Sequence, residues 1–276
     1  MPSNGYTAER RKVAYPRPTL QVEAKHNNGM QRSADTQPVI FRHRGRAPAD
    51  AGRYASSVVE RMNLITEPYL EQIKRWPQSG RHILAQFDEA SVIVYQAYKP
   101  SIGHFAARHG YFGGDFQLGR MSWIKPNFLW MMYRSGWGTK PGQEVVLAVR
   151  MKREGFDSIL AGAVHSSYVS DVYADHEIWK EELATSAVRL QWDPDHDPAG
   201  RKVERRAIQL GLRGEVLERY AREWVLGIED VSDFVASQCG NAHAGGYETL
   251  ETPREEVYPV TDGAAARRLQ ISAGEA

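Results

Sequence analysis

The period of the hydrophobic pattern changes several times between residues 62 and 240, and each change marks an element. In Glu144–Lys152, Val145, Leu147, Val149 and Met151 alternate with Val146, Ala148 and Arg150, the two-residue period of a central strand. Ser91–Tyr98 is rich in β-branched and aromatic residues, and with His82–Gln86 across an Asp88-Glu89 turn it predicts a β-hairpin. Ala187–Trp192 predicts a further strand. Helical spacing predicts helices over Asn63–Trp76, from Pro100 to Gly110 with Ile102, Phe105 and Ala106 on one face, over Phe156–Ala163 and over Ile178–Leu183. In Glu215–Ser237 the residues Val216, Tyr220, Trp224, Ile228, Val231 and Phe234 recur at three- and four-residue intervals. They predict a long C-terminal amphipathic helix, or two in succession with a bend at Gly227. Residues 201–212 fit strand and helix equally, and 165–175 fit neither. The expected class is α+β, with a mostly antiparallel sheet, intact or split, flanked by helices.

The ends read differently. Residues 1–61 have scattered Pro, Gly, Ser, Asn and Arg and little periodicity, which predicts a disordered basic extension. A basic binding arm is the alternative, and Met62 is a candidate translation start. Beyond Gly240 the chain turns polar and Gly/Ala-rich, so 240–276 is expected to be a flexible tail and 62–239 a single domain. Charge follows the same division. Residues 1–61 hold eleven Lys/Arg against five Asp/Glu, a net +6, which leaves 24 against 29, a net −5, for 62–276. That disfavours broad nucleic-acid binding by the folded part while allowing a local basic pocket. No apolar run approaches membrane-spanning length, and no membrane partner is expected. The single cysteine, Cys239, cannot form an internal disulfide, which makes the cytoplasm the expected compartment.

One stretch is denser than any other. Arg120–Gly138 holds three tryptophans, three methionines and three basic residues. Pro126 suits the first position of a helix running through Phe128–Tyr133, with Gly136 or Gly138 at its end. Lys125 in the N-cap place offers no side-chain oxygen to the free N–H groups of the first turn. An anion held by Lys125 and Arg120 could take that role; the alternative is a core helix flanked by solvated basic residues.

Familiar catalytic templates are missing: there is no Walker loop, no G-x-S-x-G elbow, no H-E-x-x-H and no Cys/His zinc set. Asp193, Asp195, His196 and Asp197 follow a predicted strand, and hard oxygen ligands at this spacing could hold magnesium or calcium, although Asp-Pro pairs are also ordinary turn formers. Gln96 and Tyr98 at the end of the Ser91–Tyr98 strand need partners. They are either structural hydrogen bonders or lining for a pocket reached by Lys125 and Arg134. His104, His109 and His165 stand alone and read as satisfied or surface histidines.

The motifs Val94–Tyr98, Arg120–Gly138, Gln191–His196 and Arg206–Gly214 resemble the family catalogued as domain of unknown function 4291, over about residues 65–238. At the level of fold, the order of elements also resembles ADP-ribosyltransferases, which hold NAD in the cleft of a split sheet. That resemblance implies a nucleotide- or NAD-binding transferase. Gln96 or Tyr98, Ser122 and Gln191 would stand where those enzymes carry a first-strand His or Arg, a second-strand Tyr or Ser and a last-strand Glu. It implies Gln191, Tyr98 and Ser122 as catalytic residues. Arg120, Lys125, Arg134, Gln96 and Trp123 would bind the nucleotide, with Tyr98 stacking. Two alternatives stay open: a non-catalytic module using the same pocket for RNA or a protein, and a divalent-metal hydrolase using the 193–197 loop.

Overall fold

The structure, a computed structural model, describes residues 64–272; the expectations for residues 1–61 and for Met62 lie outside them. The chain opens with β1 (Thr66–Pro68) and a single helical turn, α1 (Tyr69–Gln72), in place of the helix expected over Asn63–Trp76. Pro68 is the reason, since a proline disfavours helical conformation in the residue before it. Next come β2 (Gly80–Arg81), β3 (Leu84–Ala85) and β4 (Ser91–Tyr98). The expected hairpin closes only at its turn, where Phe87 bridges Val92, because β3 pairs with a later segment. Helix α2 (Pro100–His109) ends at Gly110 in the left-handed conformation that glycine adopts freely, φ 72°.

After β5 (Ser122–Ile124) and α3 (Phe128–Ser135) the chain forms β6 (Val145–Lys152), α4 (Arg153–Ala161), β7 (Ala163–His165) and α5 (His176–Thr185). The strands β8 (Val188–His196) and β9 (Lys202–Leu212) then pair antiparallel from Val188↔Leu212 to Pro194↔Arg206, with an irregularity before His196. The Asp-Pro segment expected as a loop is therefore mostly strand.

The long amphipathic helix is not formed. Its place is taken by α6 (Gly214–Arg219), a π-helical turn over Tyr220–Trp224, β10 (Val225–Asp230) and α7 (Ser232–His243). The free edge of β6 recruits β10, with a register shift between Val225 and Gly227. Tyr220, Trp224, Ile228 and Val231 bury as the helical period requires, but Ile228 does so from a strand. This is tertiary pairing overriding local propensity.

Residues 240–272 also depart from expectation. They form β11 (Glu251–Pro253), which pairs with β1, then β12 (Glu256–Val257), which pairs with β3, and α8 (Gly263–Arg268). Leu250, Thr252, Glu255, Tyr258 and Leu269 are all buried. Their apolar residues are too few to show a period, so composition alone concealed the docking.

The pairings are antiparallel except β2 with β9 and β7 with β8, which makes the fold α+β with mostly antiparallel sheets. Besides the two-stranded pairs β1-β11 and β12-β3 there are two larger sheets, one of order β10-β6-β4 and one of order β2-β9-β8-β7 with β5 also paired to β9. Val92, Val94, Leu147, Val149 and Met151 face a core with Phe156, Ile159, Leu190 and Leu210. Ile93, Tyr95, Val146 and Ala148 face a second one with Phe128, Leu129, Met131 and Met132. Two covered faces explain why β6 is apolar from Val145 to Val149, and each large buried side chain there contributes about 1.5–3 kcal/mol. No helix among the described residues is long and apolar enough to cross a membrane.

Candidate functional site

The two sheets meet at one point. Tyr95 of β4 bridges Lys125, just past β5, with Tyr95 N donating to Lys125 O at 2.7 Å and Lys125 N to Tyr95 O at 3.2 Å. Beyond that bridge β4 and β5 form no further ladder, and side chains span the gap. Gln96 Nε2 donates to Tyr98 Oη at 2.6 Å and to Ser122 Oγ at 2.8 Å, while Gln96 Oε1 accepts from Tyr220 Oη at 2.8 Å. The Tyr98 and Ser122 hydroxyls lie 2.6 Å apart and share one proton between them. Each hydroxyl brings one proton, so the network keeps one unused O–H donor. Burial raises the phenol pKa values of Tyr98 and Tyr220, and both stay protonated.

The split opens into a cavity of about 650 Å³, whose lining includes Gln96, Tyr98, Arg120, Ser122, Trp123, Lys125, Arg134 and Gln191. The structure thus brings together all eight residues expected to bind or act on a nucleotide. Lys125 is 5% exposed, and its ammonium has no hydrogen bond or ion pair among the described residues. Burial, followed by the charge of Arg134, lowers its pKa to about 8, with Asp193 opposing. Arg120 and Arg134 are exposed at the cavity and form no ion pair either. Trp123 is half-buried with no ring partner; it lies against Gly211, where an added Cβ would come 3.0 Å from the indole. Tyr98 is less free to stack on a ligand, since Phe112 and Phe116 pack edge-on against its ring.

The helix start is where expectation and structure part. Strand β5 carries the chain through Ile124, so α3 begins two residues later than Pro126, and Asn127 Oδ1 accepts from Trp130 N at 2.6 Å as its N-cap. A carboxyl group does sit at this helix terminus, but it is the protein's own. Glu255 Oε1 accepts from Phe128 N at 2.6 Å, and Glu255 Oε2 accepts from Asn127 Nδ2 at 3.2 Å. Glu255 is 1% exposed, and burial raises its pKa well above the usual carboxylate range. Lys125 therefore faces the cavity and does not cap the helix, so an anion pocket at the helix start is not what forms.

The four residues expected as metal ligands are dispersed. Asp193 lines the cavity and accepts from Gln191 Nε2 at 2.9 Å and Gln209 Nε2 at 2.7 Å. Asp195 is buried against Arg205, with Oδ2 2.8 Å from Nε and 2.6 Å from the terminal nitrogen. Asp197 turns to Arg201 at 2.6 Å. His196 stacks on Tyr133 with centroids 3.5 Å apart. Each carboxylate satisfies a different partner, and among the described residues no group of three or more His, Cys, Asp or Glu is arranged to hold a metal.

Sequence reasoning missed Gln209, Gln143 and Trp130 in the lining and assigned Asp193, its only carboxylate, to the wrong site. The signal for Gln209 was its pairing opposite Gln191, which only a strand over 202–212 makes visible. A family model described as Domain of unknown function (DUF4291) matches residues 82–258. The chain belongs to this family. The DUF4291 match takes in every cavity residue and runs on through β11 and β12 to Tyr258, so the segment carrying Glu255 is part of the family's domain. No curated protein matches the chain.

Proposed function

We propose that the cavity binds a nucleotide and that this DUF4291 protein is a nucleotide- or NAD-using transferase of ADP-ribosyltransferase-like type. The observation that carries the reading is the set of unpaired cations in one cleft: buried Lys125 with Arg120 and Arg134, beside the partnerless indole of Trp123. Unpaired buried charge is costly, and a phosphate would relieve it. Arg120, Lys125 and Arg134 take the phosphates, Trp123 takes a planar ring, and the Gln143, Gln191 and Gln209 amides meet ribose or base edges.

With NAD as donor, the bond between the ribose and nicotinamide breaks and its electron pair leaves on nicotinamide. The acceptor's oxygen or nitrogen bonds to the ribose carbon, and its proton passes to the Asp193 carboxylate and then to water. Asp193 suits that task because neutral amides hold it, which leaves its charge uncancelled. The test is calorimetry with NAD, ATP and AMP on wild type and Lys125→Ala, with nicotinamide release followed by chromatography. Lys125→Ala is expected to weaken nucleotide binding by roughly 10- to 100-fold. Absence of binding by wild type would refute the site reading. Binding without nicotinamide release would reduce it to a binding module.

A further inference from the structure

A second basic pocket lies around His165, which reads from sequence as an isolated and satisfied histidine. His165 ends β7 and is 5% exposed. Tyr173 Oη accepts from His165 N at 2.9 Å and lies 3.2 Å from Nδ1. When the phenol's one proton goes to Nδ1, the ring N–H stands on Nε2. Nε2 is buried and has no partner.

Arginines from two elements line the same pocket, and one from a third lies near. Arg81 of β2 and Arg206 of β9 are direct neighbours across a parallel pairing, where like charges repel. Both line a pocket of about 150 Å³ with His165, Ser166, Ser167 and Gln270. Arg268 of α8 is close enough that, with burial and Arg81, it helps to lower the His165 pKa to about 4. Arg81 Nε and Arg268 Nε are also buried without partners. None of the three arginines has an ion pair among the described residues, and no carboxylate lines the pocket.

Two uncompensated guanidiniums and a buried imidazole around one small space, with the charge of Arg268 nearby, make a receptor lacking its anion. We propose that this pocket is a second, separate binding site for a phosphate group, held by Arg81 and Arg206 with a hydrogen bond from His165 Nε2. The volume equals about five waters at roughly 30 Å³ each, enough for a phosphate and too small for a nucleotide. Gln191 lines both this pocket and the large cavity, so the bound phosphate would sit beside the nucleotide site.

The experiment is calorimetry of the full chain with inorganic phosphate and with glycerol 3-phosphate in low-chloride buffer. It is paired with NMR of the histidine ring resonances. Wild type is expected to bind phosphate with a shift of the His165 Nε2 resonance, and Arg206→Gln and Arg81→Gln are each expected to weaken it at least about tenfold. Lys125→Ala, in the other cavity, is expected to change the phosphate dependence of the His165 resonance by less than about twofold. Tighter binding of glycerol 3-phosphate assigns the site to a phosphate ester, and tighter binding of inorganic phosphate to the free anion. No phosphate binding, an unmoved His165 resonance at saturation, or loss through Lys125→Ala alone would overturn the proposal.

Discussion

Asp193 and Asp195 stand two residues apart on one strand, yet they have opposite surroundings. Asp195 is 1% exposed and doubly bonded to Arg205, which also donates to Pro77 O at 2.7 Å and lies over the Trp76 ring at 5.2 Å. Asp193 is half-buried, bonded only to two neutral amides, and shares its cavity with the unpaired Lys125. On one side of this pair charge is cancelled and joins the first and last segments of the domain to the sheet. On the other it is left uncancelled, at a cost to the fold. Structural charge is recognised by its completed pairing, and candidate functional charge by a pairing the protein withholds.

The largest effect is expected from breaking the completed side. Arg205→Met leaves Asp195 buried and unpaired near Glu255, whose own carboxyl Arg205 helps to offset. It should cost about 3–5 kcal/mol, read as a lower midpoint in urea denaturation. Glu255→Ala should cost less, about 1–3 kcal/mol, because Asn127 still caps α3 after the Phe128 N–H loses its acceptor. If Glu255→Ala left the midpoint unchanged, the carboxyl group at the helix start would be incidental.

Much of this frame was legible in the chain. Strand β4 and the strand expected over Glu144–Lys152 fall almost residue for residue where alternation and β-branching place them, and α2 lies between the Pro100 and Gly110 signals. All eight binding or catalytic candidates line one cavity because Gln96, Ser122 and Lys125 lie on two adjoining strands and Gln191 on a third that faces the same split. What stayed hidden depends on partners distant in sequence. β10 became a strand because β6 had a free edge, and the apolar spacing of Tyr220, Trp224 and Ile228 is the same whichever way the backbone runs. Glu255 could not be found from composition, since its role exists only once Gln72 Oε1 accepts its backbone N–H at 2.8 Å and α3 presents Phe128 N.

Lys125 sharpens the contrast in the opposite direction. Its folded pKa, about 8, lies below its unfolded value of 10.5, so the folded state binds fewer protons between those values. Stability should therefore rise with pH from about 8 to 10.5, and below that range the buried ammonium weighs against the fold. Lys125→Met should raise stability at pH 7 by about 1–3 kcal/mol and abolish the rise, while nucleotide affinity drops. In wild type, affinity for a phosphate-bearing ligand should fall as the pH passes about 8 and the ammonium is lost. A Lys125→Met protein that is less stable than wild type would mean the amine has a partner that the cavity conceals.

The smallest change to the fold should come from the residue closest to the proposed chemistry. Asp193→Asn keeps the shape; its one carbonyl oxygen accepts from one of the two glutamine amides, the other can turn its own oxygen to the new NH2, and Asp193 has no cationic partner to strand. Its stability should stay within about 0.5–1 kcal/mol of wild type, in contrast to Arg205→Met on the same pair of strands. Nucleotide binding should hold or tighten, because the one negative charge in a cationic cavity is gone. Transfer should fall by about 100-fold or more, with the loss in kcat rather than KM, since the missing group acts on a proton and not on the phosphates. A variant that binds less tightly but turns over at the wild-type rate would make Asp193 a positioning residue for Gln191 and Gln209. The uncancelled charge that matters would then be Lys125 alone.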